Sequence, residues 1–322
     1  MAGPAIMTGS PGAAALTSGV HHVALGVRDL RGMQAFYRDQ LGFTEVLMAF
    51  DDVAPEVMQE VARSQELVFS GAILNQPGGG ILLELIRMTR PEPRPLRSRS
   101  RYGDVGVGKV TVRVPDVHAF HRAYNGRLTF CSEPRVARIP GVGDQVFVLA
   151  RDPEGNLVEF MSAPGGGAGE GVDGIRSVGV GVTDLDRSTA FYRDVLDLKP
   201  AAGSPHEAFS GLVDEAADGA SVRVRSCLLE GAGGEGRLEL IQVFDPPGRS
   251  IPFGAAWGDF GYLQVCFSCA DINAAVTRLE AAGAQLLCGP KPAGEGSFEE
   301  TGAFVYARDP DGAPIEFLFL PS

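Results

Sequence analysis

Basic residues are in short supply in this 322-residue chain: 28 Lys and Arg stand against 40 Asp and Glu, a net charge of −12. Phosphate backbones are held by basic faces, so nucleic acid is not an expected partner, although a local basic pocket for a small anion stays open. Cysteines number only five (Cys131, Cys227, Cys266, Cys269, Cys288), an odd count that points to reduced thiols and a cytoplasmic setting. Cys266 and Cys269 have the gap of a zinc knuckle, but they lie in the strand-like run LQVCFSC with no second pair. A strand sends residues three apart to opposite faces, so buried thiols are the expectation. No apolar run nears the ~18 residues of a membrane span. The opening MAGPAIMTGSPGAAALTS has no basic segment and no continuous apolar one, and reads as a flexible tail over 1–18 rather than a secretory signal. Aromatics are 8% with a single Trp, which makes a cleft built on ring stacking less natural.

What is present is an ordinary globular balance, 44% hydrophobic and 21% charged, with 43 Gly and 22 Pro to punctuate short elements. The length suggests about two domains. The chain repeats itself: HHVALGVRDLRGMQAFYRDQLGF from His21 returns as RSVGVGVTDLDRSTAFYRDVLDL from Arg176. The same offset of 155 relates Glu84 to Glu239 and Tyr102-Gly103-Asp104 to Trp257-Gly258-Asp259, and it drifts to 157 between RDPEG (151–155) and RDPDG (308–312). A near-constant offset implies duplicated units of matched length. Two domains are expected, 19–163 and 175–322, joined by a Gly-rich linker over 164–174. Each copy divides again, since VALGVRDL (23–30) is echoed by VTVRVPDV (110–117), and VGVGVTDL (178–185) by VCFSCADI (265–272). All four runs are strand-like, and the Asp near each end is placed to cap a following helix. Short strands separated by turns come next, so the unit is strand, helix, several strands, used four times.

With these motifs, and with ILLEL, DPEGNLVEF, LELI and DPDGAPIEF, the chain resembles the vicinal oxygen chelate superfamily, which includes glyoxalases, bleomycin-resistance proteins and extradiol dioxygenases. The resemblance implies an α+β fold of four βαβββ modules forming two curved mixed-sheet clefts, closest in character to glyoxalase- and epimerase-type members. It also implies metal ligands on the first and last strands of each module. By alternation Val23, Leu25 and Val27 should pack on the helix, leaving His22, Ala24 and Gly26 toward the cleft. The equivalent sets are Lys109-Thr111-Arg113, Ser177-Gly179-Gly181 and Gln264-Cys266-Ser268, joined on the last strands by Glu84, Glu159, Glu239 and Glu316. A buried strand carboxylate needs a partner, such as a metal or another cation.

The pairing of modules decides which residues meet. Neighbouring modules would give His22, Glu84, Lys109, Glu159 and Ser177, Glu239, Gln264, Glu316. Pairing of modules 1 and 4 would give His22, Glu84, Gln264, Glu316, a set in which every member can bind metal. It would leave a second cleft of Lys109, Glu159, Ser177 and Glu239 that Lys109 could neutralise without metal. Analogy with fused glyoxalase-type chains favours the latter, with Zn, Ni, Co or Mn as the divalent metal. His21 falls on the opposite face by alternation and reads as packing or capping. Substrate-binding candidates are His206, in a loop-like stretch, and Arg223 and Arg225, which share one strand face. His118 and His121 on a helix, and the arginines between Arg87 and Arg101, read as solvated groups.

The implied activity is metal-dependent proton transfer beside a carbonyl, an isomerase, epimerase or glyoxalase-type lyase with Glu316 and Glu84 as ligand-plus-base candidates. The resemblance suggests a small hydroxyketone substrate, for instance a cyclitol precursor in a biosynthetic, secondary-metabolic pathway. It leaves a homodimer open. A metal-free antibiotic-binding protein is the alternative. An extradiol dioxygenase fits less well, because the positions where those enzymes place two His hold Ser177 and Gln264.

Overall fold

The computed structural model describes residues 15–166, 172–219, 221–232, 236–252, 255–294 and 298–321. Part of the expected linker lies outside them. The first module runs β1 (Gly19–Gly26), α1 (Leu30–Leu41), β2 (Glu45–Val53), α2 (Glu56–Ala62), β3 (Val68–Asn75) and β4 (Leu82–Arg90). The second contains β5 (Gly106–Arg113), α3 (Val117–Tyr124), β6 (Thr129–Phe130), β7 (Arg135–Ile139), β8 (Gly143–Arg151) and β9 (Leu157–Ser162). The third has β10 (Ile175–Gly181), α4 (Leu185–Leu196), β11 (Lys199–Pro200), α5 (Asp214–Ala217), β12 (Val224–Glu230) and β13 (Arg237–Val243). The last comprises β14 (Gly261–Ser268), α6 (Ile272–Ala281), β15 (Leu286–Pro292), α7 (Phe298–Thr301), β16 (Ala303–Arg308) and β17 (Pro314–Phe319).

Strand, helix, strands therefore recurs four times, as the α+β reading expects. The four aspartates begin the four long helices by accepting from backbone N–H groups of the first turn: Asp29 from Gly32, Asp116 from Ala119, Asp184 from Asp186 and Arg187, and Asp271 from Asn273 and Ala274. One mixed sheet has the order β15-β16-β17-β14-β1-β4-β3-β2, so it unites the first and last modules. The other has the order β11-β12-β13-β10-β5-β9-β8-β6, with β7 on β8, and unites the middle two. Each half of the sequence thus gives one module to each sheet. Val23, Leu25 and Val27 are buried against Met33, Tyr37 and Leu41 of α1, and the same helix-covered core continues through all four modules.

The two sheets are tied by the motifs that repeat most closely. Tyr37 of FYRD donates to Asp152 Oδ2 in the RDPEG turn at 3.2 Å, and Tyr192 donates to Asp309 Oδ2 in RDPDG at 3.1 Å. Asp152 Oδ1 also accepts from the backbone of Glu154 and Asn156, and Asp309 Oδ1 from Asp311 and Ala313. Burial outweighs these donors and pushes both carboxyls up to about 6. A folded-state pKa raised above the ordinary 3.8 means stability that is present below about pH 4 and lost as pH rises through 6. Tyr37→Phe should cost about 1.5–3 kcal/mol, as for a hydrogen bond to a charged group. The loss in denaturant melts should be larger at pH 7.5, where Asp152 is ionised, than at pH 5.

Glycines mark where the loops before β5 and β14 press on the sheets. A Cβ on Gly26 would meet the Asp259 carbonyl oxygen at 2.1 Å, and one on its repeat equivalent Gly181 would meet the Asp104 oxygen at 2.0 Å. Gly26, expected to line open cleft space, is instead covered by backbone. The arginine-rich segment is also more than a solvated connector. Arg97, Arg101 and Arg249 converge on buried Asp104, holding its carboxyl below the usual range against the opposing effect of burial.

Candidate functional site

The register of four strands builds the first cleft. Ala24 on β1 lies opposite Glu84 on β4 and Gln264 on β14, while Cys266 on β14 lies opposite His22 on β1 and Glu316 on β17. His22, Glu84, Gln264 and Glu316 thereby share one face of the sheet. His22 Nε2 is 3.2 Å from Glu316 Oε2 and 3.5 Å from Glu84 Oε2. Gln264 Nε2 donates to Glu316 Oε2 at 3.1 Å and to the Tyr306 hydroxyl at 3.1 Å. Its Oε1 accepts from Trp257 Nε1 at 2.8 Å.

Electrostatics differ sharply among these groups. Burial alone would raise Glu316, but His22 and hydrogen bonds from Tyr306 and Gln264 overcome it and hold the carboxyl below its usual range. Burial would lower His22, yet Cys266 and Glu316 lift it well above 6.5. Burial, helped by His22, pushes His21 down to about 4 against the pull of Glu316, so His21 is neutral beside a charged neighbour. The Cys266 thiol goes well above its ordinary range, chiefly by burial and then by the Glu316 charge.

His21 is where alternation misleads. The β1–β14 ladder shifts register between Val20 and His22, a bulge that removes the strict two-residue period at His21. The ring therefore does not turn away. Its Nδ1 lies 2.9 Å from His22 Nδ1, and the donor atoms of His21, His22 and Cys266 lie within 4.8 Å of one another. Tyr306 and Trp257 also went unnoticed as site residues in the sequence. In the sequence Trp257 stands out only as the single Trp and as the repeat partner of Tyr102, and nothing in the strand pattern singles out Tyr306.

For a divalent ion, the chemistry of the set fits on the Nε2 side of His22: an imidazole nitrogen and two carboxylate oxygens from three strands. Gln264 is different, because Trp257 engages its oxygen and turns its nitrogen to Glu316. It holds a carboxylate in place, and it would need its amide reversed to offer oxygen.

The second sheet carries the other four candidates, joined by Thr111. Lys109 Nζ bonds Glu159 Oε2 at 2.6 Å, Glu239 Oε2 at 2.7 Å and Thr111 Oγ1 at 2.9 Å, all within the protein. Lys109 is raised despite the lowering effect of burial, because the two carboxylates outweigh it. Gly179 makes this possible, since a Cβ there would lie 2.6 Å from Lys109 Cγ; the matching residue beside Gln264 is Ala24. Ser177, His206, Glu159 and Glu239 line a cavity of about 550 Å³. Arg223 and Arg225 face elsewhere: Arg225 pairs with Asp186 on α4 at 3.2 Å, and Arg223 covers the Phe244 ring at 4.2 Å. Arg223 precedes β12, and neither arginine lines the second cleft. His121, with Glu133 and the Phe130 ring, belongs to neither cleft.

A family model described as the Glyoxalase/Bleomycin resistance protein/Dioxygenase superfamily matches residues 19–160 and 174–317. Among solved structures, glyoxalase I from Zea mays aligns at 19% identity over 94% of this chain and 92% of its own, with a TM-score of 0.62. A putative dioxygenase from Bacillus subtilis subsp. subtilis str. 168 aligns at 14% identity over 96% of this chain and 87% of its own, with a TM-score of 0.58. At these identities the likeness is one of fold. No curated protein matches the chain. None of the described helices is long and apolar enough to cross a membrane.

Proposed function

Because the chain belongs to the glyoxalase/bleomycin resistance protein/dioxygenase superfamily, we propose that its first cleft is the centre of a metal-dependent enzyme that moves a proton on the carbon beside a carbonyl. The observation that carries this reading is the convergence of His22, Glu84 and Glu316 from three strands, with carboxylate oxygens 3.5 and 3.2 Å from one imidazole nitrogen. A divalent ion held there by His22 and Glu316 would supply Lewis acidity toward two adjacent substrate oxygens.

The chain's own groups divide the remaining work. Glu316 is fixed by Gln264, Tyr306 and His22 and kept ionised, which suits a permanent anion and not a proton carrier. Glu84 has His22 as its one polar contact among the described residues, and its side chain is the most exposed of the three, at 14%. It is the better proton carrier, taking the proton from carbon and returning it. Trp257 holds Gln264, and Gln264 in turn holds Glu316, so these two position the anion without touching substrate. An isomerase or epimerase acting on a small hydroxyketone follows from such a proton shuttle, with a glyoxalase-type lyase close to it.

The purified protein should carry a single divalent ion per chain. In deuterium oxide it should place deuterium on the carbon beside the carbonyl of candidate hydroxyketones, and chelator should stop this. Exchange that is indifferent to chelator would sink the reading. Oxygen consumption with catechols would replace it with ring cleavage.

A further inference from the structure

We propose that the second cleft is a metal-free binding site for a small organic acid with an apolar body and a hydrogen-bond donor at the end opposite its carboxylate. Its floor is lined by Glu159 and Glu239, the two carboxylates that hold the buried Lys109 ammonium between them. The ammonium nitrogen takes the central place between the strands, so the cluster has its cation built in. The floor keeps a net charge of minus one. Glu159 is fully buried, and its Oε1 has no hydrogen-bond partner among the described residues while its Oε2 takes both Lys109 and Thr111. A buried acceptor left unpaired is costly, so a donor arriving on a ligand would be stabilised there.

Ile139, Met161, Phe209 and Leu228 give the walls an apolar share, beside the polar Gln145, Ser177 and His206. The rim has the opposite sign to the floor. Arg113, Arg176 and Arg237 line it, and two carboxylates answer them: Asp173, 3.3 Å from Arg176 and 3.9 Å from Arg113, and Glu230, 3.3 Å from Arg237. One positive charge is in excess at the mouth. The volume of about 550 Å³ is in the range of small-molecule sites. A donor below, an apolar middle and an anion above satisfy all three layers together.

Fluorescent 6-hydroxy-2-naphthoate is a suitable probe, with 2-naphthoate lacking the donor and 2-naphthol lacking the anion. Fluorescence titration of the intact protein should give one saturable site, weakened about tenfold when either end of the probe is removed. Arg176→Gln with Arg237→Gln should weaken the acid about tenfold and leave 2-naphthol unchanged. Leu228→Trp, which fills the cavity, should abolish binding of all three compounds with the thermal melt preserved. His22→Ala, in the other cleft, should leave the binding of all three compounds as it is. The proposal fails if no saturable site exists, if the acid and 2-naphthol respond alike to the arginine changes, or if binding survives Leu228→Trp or is lost in His22→Ala. The outcome is independent of whether the first cleft proves to be an enzyme centre, because no arm of the experiment reads activity.

Discussion

Glu84→Gln should cut the rate of proton exchange on a responsive hydroxyketone by about 10²–10⁴-fold, the usual contribution of a positioned acid–base group. Metal affinity should fall less than in His22→Ala or Glu316→Gln, because both of those ligands remain. His22→Ala and Glu316→Gln should fail differently, losing the metal first and the exchange as a consequence. Calorimetric titration with Mn²⁺ or Zn²⁺ beside the exchange assay separates the two patterns. Loss of metal in Glu84→Gln equal to that in Glu316→Gln would make Glu84 a plain ligand and leave the proton carrier to another group. Trp257→Phe gives an intermediate case. It frees the Gln264 amide to rotate, and supporting-residue losses are commonly 10–100-fold.

Metal affinity itself should fall as pH is lowered. His22 is held charged by the Glu316 carboxylate, and an imidazole must give up its Nε2 proton before that nitrogen can bind an ion. Each ion bound should release a proton, measurable as a buffer-dependent heat.

Much of this site was legible because a duplicated chain supplies its own internal control. One glutamate between apolar residues says little, whereas Glu84, Glu159, Glu239 and Glu316 at matched places mark a shared face. Residue types then separated the clefts, since Lys109 stands where the other copy has Gln264 and Ser177 where it has His22. What escaped notice depends on departures from regularity. The bulge at His21 breaks the alternation on which its assignment to the far face rested. Tyr306 enters the site across a strand pair, opposite Glu316, a register the sequence alone does not fix. Gly26 reads as open space in one dimension, but a loop more than 200 residues later in the chain fills it. The shared strand face expected for Arg223 and Arg225 is not formed, because β12 begins only at Val224; Arg225 alone pairs with Asp186 on α4.

The largest stability effect should come from the second cleft. Lys109→Met removes the ammonium and leaves Glu159 and Glu239 facing each other in the interior. Breaking a buried ion cluster by deleting one partner costs about 3–5 kcal/mol, far more than a surface pair contributes. Denaturant midpoints should show it at neutral pH. The sign with pH follows from Glu159, whose pKa burial already raises even with Lys109 opposing it. Without the ammonium it rises further, so stability is retained below the ordinary carboxylate range and lost as pH climbs through the new folded-state value. The deficit should therefore shrink on acidification. Adding Glu159→Gln and Glu239→Gln to Lys109→Met should recover much of the loss at pH 7, because amides need no counter-charge. A divalent ion is another way to neutralise the pair: Mn²⁺ should stabilise Lys109→Met more than the parent protein, whose own lysine occupies the position. A deficit that neither acid, amide substitution nor Mn²⁺ reduces would mean that Lys109 matters for its packed methylenes against Gly179, and that its charge is incidental.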